Sequence, residues 1–338
     1  PADLQTRHLW PAAFPHREWP GAVNVKDAPH GAKGDGRADD TDAIQRAVNA
    51  ANVVFLPKGY YRVTRPIDLR PGTRLIGAAQ HLSILVATGP EGAFADPANP
   101  SPLVRSADDA ASDAILAHCG LWAPQNIGGV RCLHWRSGAR SVVRGVIILY
   151  TPLFAKALKR GEAPALRATT SILVTGHGGG RWYNIFGGGQ LPQAPGFRHL
   201  LVDGAAGPLF IYHLSPQHVG SDAAVEIRNA RNVSFFGVKY EGNEPVVWAH
   251  DSDRVRIFGH GGNAKGAEGR SLYLVERTPN FLVANAVDGP TKTGTTTLSG
   301  FSTDPAKWFM LVERPAAGPE VRTLPFDRPV LYRRGTPD

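Results

Sequence analysis

Short apolar runs separated by turn residues dominate the chain, and helical periodicity is rare. Val53-Val54-Phe55-Leu56 reads as a buried strand, Pro57-Lys58-Gly59 as a turn and Tyr60 to Val63 as a second strand; Ile67-Asp68-Leu69 and Arg74-Leu75-Ile76-Gly77 give two more. One amphipathic helix is predicted near 41–50. Asp39, Asp40 and Thr41 supply N-cap oxygens and negative charge at its positive end, while Ile44, Ala47 and Val48 fall on one face. Before it lies the turn-dense loop His30-Gly31-Ala32-Lys33-Gly34-Asp35-Gly36. Residues 1–23, rich in Pro and aromatics without periodicity, are expected to form an extended arm lying on the body.

The strand pattern repeats. Asn229 to Gly237 aligns with Asp251 to Gly259, 22 residues on, and more loosely with Arg277 to Asn285, a further 26 on. Each unit holds a short strand, a polar turn and another short strand, which is the signature of a solenoid and too short for a βα unit with its helix. Arg144 to Leu149 and Tyr183 to Gly187 read as earlier coils. Residues 24–338 are therefore expected to form one solenoid domain with insertions near 151–169 and 286–305 that wall a groove. Leu153, Phe154, Ala157 and Leu158 have helical spacing in the first insertion. The 38 Gly, 28 Pro and single Met argue against a helical bundle.

The strings GAKGDGRADDTDAIQRAV (31–48), VVFLPKGYYRV (53–63), PIDL and RLIG resemble the opening of the pectate-lyase-like right-handed parallel β-helix superfamily. The resemblance implies an all-β, single-stranded right-handed parallel β-helix with an N-terminal capping helix, and carbohydrate-active chemistry. It is shared by exo-β-1,3-glucanases, other glycosidases, uronate lyases, mannuronan epimerases and phage tailspikes, so the reaction has to be argued from the site.

Strand alternation places Val225, Ile227, Val247, Ala249, Tyr273 and Val275 inward. Glu226 and Arg228, Trp248 and His250, and Leu274 and Glu276 then point outward, giving one exposed face carboxylates, an imidazole, a guanidinium and an indole. A glycosidase needs two carboxyl groups, and Glu226, with Asp222 or Glu241, is the expected pair; the indole of Trp248 beside Glu226 is expected to desolvate it as a general acid. His213, His218, Arg228, Trp248, His250 and Glu276 are expected to bind substrate, together with His177, Arg181 and Trp182 from the glycine-rich string at 176–183. That string has no accompanying G-x-S-x-G elbow, which excludes an esterase reading. A uronate lyase would use instead a cation or Arg at the carboxylate and a His, Tyr, Lys or Arg as base.

The net charge of +8 and pI near 9.7 favour a polyanionic partner such as an acidic polysaccharide. Lys and Arg are scattered, so nucleic acid is not expected; nor is a membrane, since no run reaches a spanning length. No Walker loop or H-E-x-x-H occurs. No cofactor is expected, with calcium an option for a lyase; Asp35, Asp39 and Asp40 read more simply as turn and cap residues. Cys119 and Cys132 allow one optional bridge. The expectation is thus a secreted or periplasmic glycoside hydrolase acting on a polysaccharide or oligosaccharide, anionic substrates included. A lyase or epimerase, or a non-catalytic glycan-binding protein, is the alternative.

Overall fold

A computed structural model describes residues 8–9, 13–149, 167–187, 193–286 and 307–337, apart from positions 90, 125, 126, 263, 265, 326, 328 and 329. The insertions expected near 151–169 and 286–305 lie almost wholly outside the described residues, the helix expected in the first among them.

Almost every element is a strand that pairs in parallel with the strand one coil away. Ten strands stack into one sheet, running from Ile67–Leu69 through Val130–Trp135, Val225–Arg228 and Val247–His250 to Phe309–Arg314 and Val321–Thr323. The other sheet has 14 strands and includes Ile115–Trp122, Val142–Leu149, Gly180–Gly187, Leu209–Pro216, Arg231–Tyr240, Asp253–Gly262 and Phe281–Ala286. The architecture is a parallel β-helix, as the repeats predict. Val233 pairs with Val255 and Val255 with Phe281, the two spacings read from the sequence.

The helix Thr41–Ala50 covers the first coils with Ala43, Ile44, Ala47 and Val48 buried. Its capping differs in detail from the expectation. Asp39 Oδ1 accepts the Thr41 amide at 3.0 Å, whereas Asp40 turns back to accept the Lys33 and Gly34 amides at 2.6 and 2.9 Å, closing the glycine-rich loop. At the other end the solenoid does not finish on a bare parallel edge. Val321–Thr323 and Leu331–Arg334 pair antiparallel with the last strand of each sheet, which protects edges that would otherwise recruit another chain.

The long strands each contain a phase slip, and it shapes one corner of the solenoid. In an uninterrupted strand every second residue points inward. Here the inward residues run Leu116 then Cys119, Val143 then Val146, Trp182 then Ile185, Ile211 then Leu214, Val233 and Phe235 then Val238, all in the core. Two consecutive residues therefore face outward on each coil. The second of each pair has positive φ: His118, Gly145, Asn184, His213, Gly237, Gly259 and Asn285 form one column down the solenoid. Left-handed backbone suits Gly, and among other residues Asn and His more than most, so these types line a corner that runs along the molecule.

Candidate functional site

The expected face exists, with the predicted register. Glu226 pairs with Trp248 and Trp248 with Leu274, while Arg228, His250 and Glu276 follow in the adjacent column. Its carboxylates, however, are committed to each other's counter-ions. Arg198, only 2% exposed, donates from Nε to Glu226 Oε2 at 2.7 Å and from Nη1 and Nη2 to Asp222 at 2.8 and 3.0 Å. Glu226 Oε1 also receives His250 Nε2 at 3.1 Å and Arg228 Nη1 at 3.4 Å, and Arg228 continues to Asp203 at 2.8 Å. Glu276 takes Trp248 Nε1 at 2.9 Å and Arg314 Nη1 at 2.7 Å.

This is a lattice in which every carboxylate is satisfied: Glu226 stands beside Trp248 as expected, and Arg198 and Arg228 are its ion-pair partners. The indole stacks on His250 at 4.6 Å and faces the Arg198 guanidinium at 5.6 Å, and its N–H goes one coil further to Glu276. Arg198, helped by Ser221 and the Gly196 amide, holds the Asp222 carboxyl well below the usual carboxylate range, so that group is ionised. A shallow groove of about 280 Å³ runs beside Asp222, Trp248, Leu274, Arg270 and Arg314.

The other expected site residues are dispersed. Glu241 pairs with Lys239 and lies 3.6 Å from His218, in a cluster apart from Glu226. His177 is exposed and bound to Asp108 through both its amide and Nδ1. Trp182 is fully buried, edge-on to Trp135 at 6.2 Å, because its position precedes the phase slip and points into the core; it cannot touch a substrate. Arg181 is half-buried on the outer face one position before it. His213 stands on the corner column, its Nδ1 3.0 Å from Asn184 Oδ1. Cys119 and Cys132 are free and buried, with burial pushing both thiols up to about 12.

A larger space lies on that corner. A cavity of about 710 Å³ is lined by His118, Val142, Arg144, Gly145, Tyr183 and Asn184 from the coils, by the turn at Ala78 to Gln80, and by Leu9 and Phe14 of the N-terminal arm. Its origin is visible in the outward column next to the positive-φ residues. Phe258, Phe236, Tyr212 and Tyr183 stack at 5.0, 4.9 and 4.9 Å, nearly parallel. The column then changes to Arg144 and Ala117, and where the rings stop a hollow opens. Gly145 completes the floor: φ is +58°, and a Cβ there would meet His118 Nδ1 at 3.0 Å.

The chemistry of the lining is cationic and protic. Arg144 lies over the Phe14 ring at 4.9 Å and has no carboxylate partner among the described residues. Burial, and then Arg144, hold His118 below its ordinary value, so it is neutral at physiological pH and able to accept a proton. Burial raises Tyr183, which therefore keeps its proton. Among the described residues no carboxylate lines the cavity. Sequence reasoning identifies Arg144 and Tyr183 only as parts of coils. The available signal is the break in alternation, inward residues three apart where two are expected, which sets their side chains on an outer corner.

Residues 22–101 match the family described as "Rhamnogalacturonase A/epimerase, pectate lyase-like", the segment that carries the sequence resemblance. A glucan 1,3-beta-glucosidase of Cochliobolus carbonum is 38% identical over 89 residues, 25% of this chain and 11% of that protein. Alginate lyase 7 of Azotobacter vinelandii is 50% identical over 58 residues, 16% of this chain and 6% of that protein. The similarity thus spans a small fraction of either relative's length. Among solved structures, tailspike protein 2 of a bacteriophage of Escherichia coli O157:H7 superposes with a TM-score of 0.48 at 14% identity, covering 79% of this chain and 38% of that one.

Proposed function

We propose that the protein is a carbohydrate-active enzyme that cleaves a uronate-containing polysaccharide by β-elimination in the corner cavity. The observation that carries this reading is Arg144, a guanidinium facing the cavity with no carboxylate partner among the described residues, flanked by a neutral imidazole and a protonated phenol. The described lining residues offer no carboxyl pair of the kind glycoside hydrolysis uses. They have what elimination needs.

Arg144 would pair with the uronate carboxylate, assisted by the Asn184 amide, and stabilise the negative charge that builds there as the C5 proton leaves. His118 would take that proton. The C4–O bond then breaks, its electron pair goes to the departing oxygen, and the Tyr183 hydroxyl, turning from the His8 carbonyl that accepts it at 2.7 Å, protonates it, leaving a C4–C5 double bond. Arg144 supplies the positive charge that a bound cation would otherwise provide at the carboxylate. The relative named alginate lyase supports this class, and the basic pI favours an acidic polymer.

A second reading is glycoside hydrolysis in the groove beside Asp222 and Trp248, favoured by the ionised Asp222 next to an indole platform and by the glucosidase relatives. One assay separates the two. The protein is incubated with alginate, pectate and β-1,3-glucan, and reducing ends and absorbance at about 235 nm are followed. Both signals on a uronate polymer are expected. Reducing ends without absorbance would overturn elimination in favour of hydrolysis, and neither signal on any polymer would leave a glycan-binding protein.

A further inference from the structure

The corner cavity is closed at one end by the chain's own N-terminal arm. His8 sets its ring edge-on against Phe210, Tyr212 and Phe236, at 6.1, 5.9 and 5.2 Å. Its Nδ1 lies 2.7 Å from the Tyr212 hydroxyl, and its carbonyl accepts the Tyr183 hydroxyl at 2.7 Å. Phe14 lies under the Arg144 guanidinium and edge-on to His118 at 5.6 Å, and Leu9 completes the wall. The arm is thus pinned on the coil that follows Tyr183, across the corner along which a bound chain would continue. At the opposite end the turn at Ala78 to Gln80 closes the space. Between these stops the cavity spans the coils of His118, Gly145 and Asn184, on the order of 10–15 Å at the spacing of stacked strands.

Resting on the reading of this cavity as the sugar site, we propose that His8, with Leu9 beside it, is a specificity determinant: it ends the pocket after a few sugar units, so that the protein takes the end of a uronate chain and not its interior. The ring ladder beyond the arm, Tyr212 to Phe258, would otherwise extend the corner as a continuous track. The arm covers it. A polymer threading through the corner would have to displace the His8–Tyr212 hydrogen bond and three ring contacts of His8, whereas a chain end stops short of them.

The test compares the full chain with the His8→Ala variant, and with Leu9→Ala in case His8→Ala folds poorly. Two measurements are made: viscosity loss of alginate and pectate per new end formed, and calorimetric affinity for uronate oligomers of increasing length. The wild type should form ends with little early loss of viscosity, and its affinity should stop rising once the pocket is filled. In the variants viscosity should fall several-fold faster per end, and affinity should go on rising with length. A wild type that thins the polymer at once, or variants with the same ratio and the same plateau, would overturn the proposal. If oligomers bind but no ends appear, elimination fails as a function, and the length dependence alone decides for or against the arm. If no oligomer binds either protein, the cavity is not a sugar site and the proposal falls with it.

Discussion

Replacing Glu226 by Gln, and Arg198 by Met, asks whether the exposed carboxylate face is a support or a site. Glu226 is 6% exposed and holds two guanidinium neighbours and the His250 imidazole, with Arg198 the nearest at 2.7 Å. Glu226→Gln keeps the shape but turns charge-assisted hydrogen bonds into neutral ones, a difference of about 1–2 kcal/mol in stability. Arg198→Met removes the guanidinium and leaves a buried carboxylate with only His250 and the longer Arg228 contact, which places the loss near the lower end of the roughly 3–5 kcal/mol typical of breaking a buried pair. The Asp222 half adds little, because that side chain is 46% exposed and rehydrates. The double variant should lose about 1–2 kcal/mol less than the sum of the singles, since the charge that Arg198 neutralised is then absent. Urea unfolding followed by fluorescence and circular dichroism reads the stabilities, and the polysaccharide assay reads turnover. With elimination at the corner, Glu226→Gln keeps turnover and loses stability. Abolished turnover with stability within about 0.5 kcal/mol of wild type would refute the lattice reading and make Glu226 the acid of a hydrolase.

The same geometry carries three further expected outcomes. Arg144→Ala should lower turnover by about 10² or more while moving the unfolding midpoint little, since its side chain is exposed; unchanged kcat/KM on uronate polymers would remove it from the site. The acid limb of the pH–rate profile should lie below about 6.5, because His118 acts as the neutral base and burial and Arg144 lower it; a limb above that value would mean a different base. His199, buried with its value lowered to about 4 chiefly by burial, favours the neutral form in the folded state. Its contribution is constant above about pH 6.5 and stability then falls as pH drops towards 4, by about 2–3 kcal/mol at pH 4.5; His199→Leu should flatten that part of the urea-midpoint profile, and an unaltered slope would contradict it.

The repeats are legible because each coil's interior is written in alternating apolar residues, and Val225, Ile227, Val247, Ala249, Tyr273 and Val275 are all buried. The same alternation puts Glu226, Trp248 and Glu276 on the outer face. What it does not carry is the state of those carboxylates. Arg198 lies in the preceding coil and Arg314 in a later one, so the ion pairs cross 28 and 38 residues of chain with no local sign. The glycine-rich neighbourhood of Trp182 suggests a site residue, although its place two residues before left-handed Asn184 fixes it inward. The cavity escapes sequence reading for a related reason. His118, Arg144 and Tyr183 are 26 and 39 residues apart and meet only because two adjacent outward positions per coil stack in register.

That pair of outward positions separates two selective demands. On a regular strand an altered surface residue sits between two core residues and shares their backbone constraints, but at the slipped corner the chain offers two consecutive side chains per coil that carry no interior packing. Substitutions at Arg144, Tyr183, Tyr212 or Phe236 can therefore change what the corner recognises without altering the solenoid's interior. A solenoid built this way can acquire a new substrate preference through a few outward changes along one line, and a library confined to those columns would explore recognition while leaving folding almost untouched.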